Sequence, residues 1–527
     1  MVKTGVRLRF APRARPLAVP VALAALMLAP ACRADWRFTP TVDLRETYTD
    51  NVSLLQKDQA KEQFISEVTP GFILENKSPR LDMRVNYGAH FYHYQDSDLP
   101  NTRDTEHSLR ADAKAKLIKD LLFLDAWASI SQQNVSAFGP QSNLGGYTDA
   151  NRADVKTWHV SPYLIQRFSN FAVADVRYTY DYLDSANQGL GRSTTNGLSL
   201  GLNSGAAFRT IGWGLQLSHQ EIDDTRANGS SNDNASATLR YVLSRALTLT
   251  TTVGYDKYDY ESLGGRTQGK SWNVGAIWIP GARTSVTATA GRRYYGTSYS
   301  LAALHRSRRT VWSINYSDEV TTTRQQFTLP STIDTATLLD RLFAPTIPDP
   351  VARAQAIQAY ILSTGLPPSL ADSVNYFSNR YILQKQFQAS VAFNTARTTT
   401  VFSLFDTRRN ALSSSQVDSG LLGPNNTTIN DNTRQTGGSL STNWRLTSRT
   451  GVIVSANINN TQSLSTGIDD NNRSVRLGMT HIFQPGMSGM VEIRRVKGSN
   501  LFDAAGGIQG GRDYTENAIV ATLSKKF

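Results

Sequence analysis

The chain has 527 residues, of which 40% are hydrophobic, 19% charged and 9% aromatic, with 37 Gly, 19 Pro and one Cys. A single Cys excludes a disulfide framework and a Cys-rich zinc site, and the hydrophobic content excludes a disordered chain. No apolar run beyond the N-terminus is long enough for a membrane helix, so a multi-span helical protein is excluded too.

The first element is an export signal. Lys3, Arg7, Arg9, Arg13 and Arg15 precede the apolar stretch Leu17–Ala31, which is too short to span a bilayer, and small residues follow up to Ala34. Cleavage after Ala34 removes Lys3, Arg7, Arg9, Arg13, Arg15 and Arg33 and no acidic residue, so the formal charge of +12 falls to about +6. The basic balance therefore belongs largely to the signal, and no nucleic-acid partner is expected. The only Cys, Cys32, leaves with it.

From Trp36 onward the sequence alternates with a period of two. Trp36 to Asp50 and Phe64 to Asn76 open the series. In the next segment Leu81, Met83, Val85, Tyr87, Ala89 and Phe91 alternate with Asp82, Arg84, Asn86, Gly88 and His90. Leu109 to Leu117 follows, with Asp112, Lys114 and Lys116 on its polar face. Then comes Ala172 to Tyr182, with Asp175, Arg177 and Asp181 on its polar face. The beat returns at 211–219, 235–243, 247–255, 272–278, 286–294, 381–393, 452–458, 475–483 and 519–527. Soluble sandwiches use strands of about five or six residues, whereas segments of about ten suit tilted membrane strands.

Connections alternate as well. Short turns at 76–80, 119–121, 168–170, 209–210, 244–246, 280–283, 394–397, 447–449 and 484–486 are interleaved with longer polar loops, among them 95–106, 134–153, 297–308 and 411–432. Short periplasmic turns and long outer loops are the asymmetry of an outer-membrane barrel. The expected fold is all-β: a transmembrane antiparallel β-barrel of about 20–22 strands, one domain over residues 35–527. Tyr178 to Tyr182, Tyr255 to Tyr260 and Tyr294–Tyr295 are expected at the outer interface; Phe168, Phe171, Phe208, Phe393, Trp444 and Phe483 are expected at the inner one.

One stretch breaks the beat. Between Arg309 and Phe393 two descending strands follow one another, separated by helical patterns at 336–343 and 351–362 punctuated by prolines. Reading Ser317-Asp318-Glu319 as a tight turn restores even parity at about 22 strands. It also places the Pro-rich helical insert, residues 329–373, outside rather than threaded as a plug from the periplasm. The chain closes on Ile519, Ala521, Leu523 and Phe527, a terminal aromatic of the kind read by the barrel-assembly machinery.

Residues that carry chemistry are few. The metal, nucleophile and phosphate-loop motifs are missing, so no catalytic residue, cofactor or metal site is expected. The nearest approach is His219 with Glu221, Asp223 and Asp224 at an outer rim, which reads better as a polar loop root than as a water-activating pair. Asp82, Arg84, Asp112, Lys114, Lys116, Asp175, Arg177 and Asp181 are expected to line a lumen of mixed charge, suited to a weakly selective hydrated conduit. Four double-Arg pairs, Arg292–Arg293, Arg308–Arg309, Arg408–Arg409 and Arg494–Arg495, are placed in the outer halves of their strands. Alternation turns one member of each outward, where lipopolysaccharide phosphates suit the Arg fork.

The stretches Glu46-Thr47-Tyr48-Thr49-Asp50-Asn51-Val52-Ser53-Leu54, Thr69-Pro70-Gly71-Phe72 and Tyr316-Ser317-Asp318-Glu319-Val320-Thr321-Thr322-Thr323, with Gln384 to Ser390, resemble the PEP-CTERM system-associated outer-membrane barrel family. That family accompanies exosortase and exopolysaccharide loci. The resemblance implies a barrel that passes or assembles exopolysaccharide at the outer membrane, in contact with its lipid and with periplasmic export components. The alternative it leaves open is a plugged barrel that anchors surface polymer or protein.

Overall fold

A computed structural model describes residues 36–527 apart from 97–98, 100–101, 140–150, 186–190, 226–228, 329–338, 341–356, 358–375, 415–427 and 503–507. The expected signal, residues 1–34, lies outside the described residues, as does nearly all of the 329–373 insert.

Strands form wherever the period of two persists. They are β1 (Trp36–Thr49), β2 (Gln63–Lys77), β3 (Leu81–Tyr94), β4 (Thr105–Ile118), β5 (Leu122–Asn134), β6 (Arg152–Phe168) and β7 (Ala172–Ser185). Next come β8 (Gly191–Ser204), β9 (Ile211–Asp224), β10 (Ser230–Val242), β11 (Leu247–Asp259), β12 (Gln268–Gly281), β13 (Thr284–Arg293), β14 (Gly296–Arg306) and β15 (Thr310–Thr322). A short helix α1 (Thr323–Thr328) precedes β16 (Tyr381–Asn394), β17 (Thr398–Ala411), β18 (Asn432–Arg445), β19 (Thr450–Ser463), β20 (Asp469–Gln484), β21 (Met487–Phe502) and β22 (Ile508–Lys526).

Each strand pairs antiparallel with its sequence neighbours, and β1 pairs with β22 from Thr41↔Lys526 to Thr49↔Ala518, closing a 22-stranded barrel. Closure leaves no unpaired edge, the condition for a sheet to stand in lipid. A strand of 14 residues is about 46 Å long, so even strongly tilted it crosses an apolar layer. The outward face carries that layer: Leu198, Leu217, Leu239, Val253, Val274, Ile458, Leu477, Val491 and Ile493 are all exposed. Aromatic residues flank it, with Tyr255, Trp272 and Tyr299 towards the long loops. Phe168, Phe171, Phe393, Trp444, Phe483 and Phe527 flank it towards the short turns. Exposed apolar surface of this extent is a membrane contact. Tight turns at that end are made by residues in the left-handed region, Asp120 (φ 59°) and Ser169 (φ 51°).

The strand number matches, but by another route than the sequence suggested. Ser317-Asp318-Glu319 is not a turn: β15 runs straight through it, paired with Gln386, Lys385 and Gln384 of β16. The strand that restores parity is β14, inside the stretch 297–308 that reads as a loop. Its run Leu301-Ala302-Ala303-Leu304 is apolar on both faces, so no alternation marks it. α1 follows the long-loop end of β15, so the insert does start at that end. Two tyrosines expected at the interface also turn inward: Tyr258 and Tyr260 stack against Tyr294 and Tyr381 at the barrel mouth.

Candidate functional site

The pleat that turns Leu, Val and Tyr outward turns the alternate residues into the lumen. The register sets Asp82, Arg84, Asp112, Lys114, Lys116, Asp175, Arg177 and Asp181 on that inner side of the pleat. Asp82 stands opposite Lys114, and Arg84 lies opposite Asp112 and 3.5 Å from Glu75. Lys114 faces Asp125, whose carboxylate lies 3.2 Å from the Arg177 guanidinium. Asp175 shares that face, and Asp181 is 2.6 Å from His159. The wall continues through His90 with Glu67 at 2.7 Å, Arg45 with Glu67 at 3.3 Å, and Arg494 with Glu516 at 2.7 Å, where Thr49 also donates to the carboxylate. Paired signs keep this wall close to neutral. Towards the short-turn end, Asp82, Arg110, Asp112, Lys114 and Lys116 are exposed although they point inward, so the lumen there is open to water.

Sequence reasoning missed the aromatic members of this wall. Phe123 stacks on Tyr163 at 5.1 Å, the Arg177 guanidinium lies 3.9 Å over the Tyr163 ring, and Trp127 stacks on His159 at 5.7 Å. In β5 these residues alternate with Leu122, Leu124, Ala126 and Ala128, so at Phe123 and Trp127 the two faces read alike and only Asp125 and the serines mark theirs as polar. The register with β4 and β6 shows which face is wet.

At the long-loop end, segments of two connections, β5–β6 and β15–β16, reach across the lumen as a cap. After β5 the chain continues inward as Val135 to Gly139, and Asn134 bridges Tyr376, just before β16. The Phe377 N–H donates to the Asn134 carbonyl at 3.2 Å. Tyr376 reaches Thr433 of β18 at 3.0 Å, and the Gly139 N–H reaches the Asp470 carboxylate of β20 at 2.8 Å. From α1, Arg324 pairs with Asp224 and Gln325 donates to Gln220 at 2.9 Å, both on β9. Strands β9, β18 and β20 lie around the wall, so these bonds span its mouth.

The cap has apolar cores of its own. Phe138, Tyr376 and Ile429 are fully buried with Ala137, and Phe377 is fully buried with Ala153, Val155 and Leu183. Leu339 and Ile357 of the insert are buried as well. Arg380, 1% exposed, donates to the Ser413 carbonyl and pairs with Asp431. Burial raises the Asp431 carboxyl above its ordinary range, and the Arg380 guanidinium opposes that rise without cancelling it.

The rim constellation does not assemble. His219, Glu221 and Asp223 face outward while Asp224 faces the lumen, and His219 pairs instead with Asp233 at 2.6 Å. Asp469 and Asp470 likewise point to opposite faces of β20. Among the described residues no three His, Cys, Asp or Glu side chains gather as metal ligands. Of the Arg pairs, Arg292, Arg408 and Arg495 face outward near the long loops, and their neighbours Arg293, Arg409 and Arg494 face inward. Arg308 and Arg309 depart from the expectation: they form the short turn between β14 and β15, at the opposite end of the barrel.

No family model matches the chain, and no curated protein does. Among solved structures the chain is similar to the siderophore receptor PirA from Pseudomonas aeruginosa, with 12% identity, 94% of this chain and 81% of that chain covered, and a TM-score of 0.45. It is also similar to the FrpB iron transporter from Neisseria meningitidis, with 11% identity, coverages of 93% and 81%, and a TM-score of 0.45. Likeness at this level says nothing of ligand or cargo.

Proposed function

We propose that this chain is an outer-membrane barrel through which a hydrophilic polymer leaves the cell, shut at its outer end by the cap in the form described here. The polymer is read as an exopolysaccharide, delivered by periplasmic export components, on the strength of the resemblance to the PEP-CTERM-associated barrels. The observation that carries the reading is the contrast along the inner wall. Polar and charged residues at the short-turn end are open to water, whereas those at the long-loop end, such as Thr49, Arg409, Thr433 and Glu516, are buried under the cap. A wall of mixed sign holds neither cations nor anions tightly, and Trp127, Phe123 and Tyr163 add ring surface of the kind that sugar rings pack against.

The cap's own buried cores favour a second reading, a permanently plugged barrel that anchors surface polymer. Deleting the chain from its native host separates the two. Polymer retained in the periplasm, and returned to the surface by re-expression, is the expected result. Surface polymer exported normally but shed from the cell would refute passage and favour anchoring.

A further inference from the structure

On the lipid-facing wall, just beyond the apolar belt at the long-loop end, cations stand opposite cations. Lys385 of β16, Arg408 of β17 and Arg434 of β18 are directly opposed in register and all face outward. Arg434 pairs with Asp406 at 2.6 Å, and Asp318 of β15 stands opposite Lys385 on its other side, which leaves Arg408 between two cations. A second group repeats the arrangement: Arg473 of β20 lies opposite Lys497 of β21 and diagonal to Arg495, and all three are exposed. Lys385, Arg408, Arg473, Arg495 and Lys497 make no ion pair among the described residues. Further towards the short turns the same face becomes apolar, with Phe387, Leu404 and Leu440 below the first group and Val475, Leu477 and Ile493 below the second.

Like charges directly opposed on a sheet are destabilising unless an anion lies between them. At the margin of an apolar belt the anion within reach is a lipid headgroup, and forked guanidinium groups match phosphate oxygens. We infer that these two cationic rungs bind the phosphate groups of the glycolipid that forms the outer leaflet. The inference rests on the outer-membrane placement proposed above and is independent of polymer passage. Register decides its members: Lys385, Arg434, Arg473 and Lys497 join Arg408 and Arg495, and Arg308 and Arg309 drop out.

The test reconstitutes the full chain into phosphatidylcholine nanodiscs doped with bis-phosphorylated lipid A or with its phosphate-free form, and counts bound lipid A by native mass spectrometry. Retention of the phosphorylated form about tenfold or more above the phosphate-free form is expected. Combined K385Q, R408Q and R434Q, or combined R473Q, R495Q and K497Q, should each reduce it by a comparable factor, with R308Q and R309Q unchanged. Equal retention of the two lipids, or undiminished binding by both variants, overturns the inference. Assembly of each variant is checked by heat-dependent gel migration; if one fails to assemble, the comparison of the two lipids on the unaltered chain still decides.

Discussion

Replacing Phe377 by Ala tests whether the cap is the seal. Phe377 is fully buried against Ala153, Val155 and Leu183, yet it lies in the β15–β16 connection and belongs to no strand. Truncating a fully buried Phe costs about 3–5 kcal/mol. The Asn134–Phe377 backbone bond survives the change, and so does every strand pairing, so the cost falls on the closed cap rather than on the wall. At about 1.4 kcal/mol per factor of ten, the open fraction rises by about two to three and a half orders of magnitude. Single-channel recording in planar bilayers should then show frequent openings where the unaltered chain conducts rarely, with the heat-dependent gel shift of the barrel preserved. Tyr376→Phe gives a graded control. It removes only the hydrogen bond to Thr433, a change of about 1 kcal/mol, and should raise opening about fivefold. If Phe377→Ala keeps the gel shift and conducts no more than the unaltered chain, the cap does not occlude the lumen. Loss of the gel shift would mean that the phenyl supports the wall instead.

Two further outcomes follow from the same geometry. In the Phe377→Ala background, Lys114→Glu with Lys116→Glu should move the reversal potential in a salt gradient towards cations, because both lysines are exposed to the lumen within a Debye length of the current path; an unchanged potential would place the ion path elsewhere. Phe527 is 70% exposed at the short-turn end, its N–H held by the Pro40 carbonyl, and it packs into no core. Phe527→Ser should therefore lower the amount of barrel reaching the outer membrane several-fold while refolding in detergent is unaffected; a refolding defect of equal size would make the residue structural rather than an assembly signal.

Much of the wall was legible in the chain itself. Every lumen residue named from alternation, Asp82 to Asp181, points inward, and Phe168, Phe393 and Phe483 sit at the short-turn end as their positions implied. Which face a side chain takes is a local consequence of the pleat, readable from neighbours two residues away. Where both faces are apolar, as in Leu301–Leu304 of β14, that signal vanishes, and aromatic residues on a wet face, Phe123 and Trp127, blur it.

The sequence alone thus determined a wall and its two faces. Tertiary structure alone decided what closes the mouth and which cations share a rung. Asn134 meets Tyr376, Gly139 meets Asp470, and Arg473 meets Lys497, and none of these pairs is linked by a repeating pattern along the chain. Contacts of that kind are set by where the closing barrel brings distant strand ends, a property of register around the whole ring rather than of any one strand.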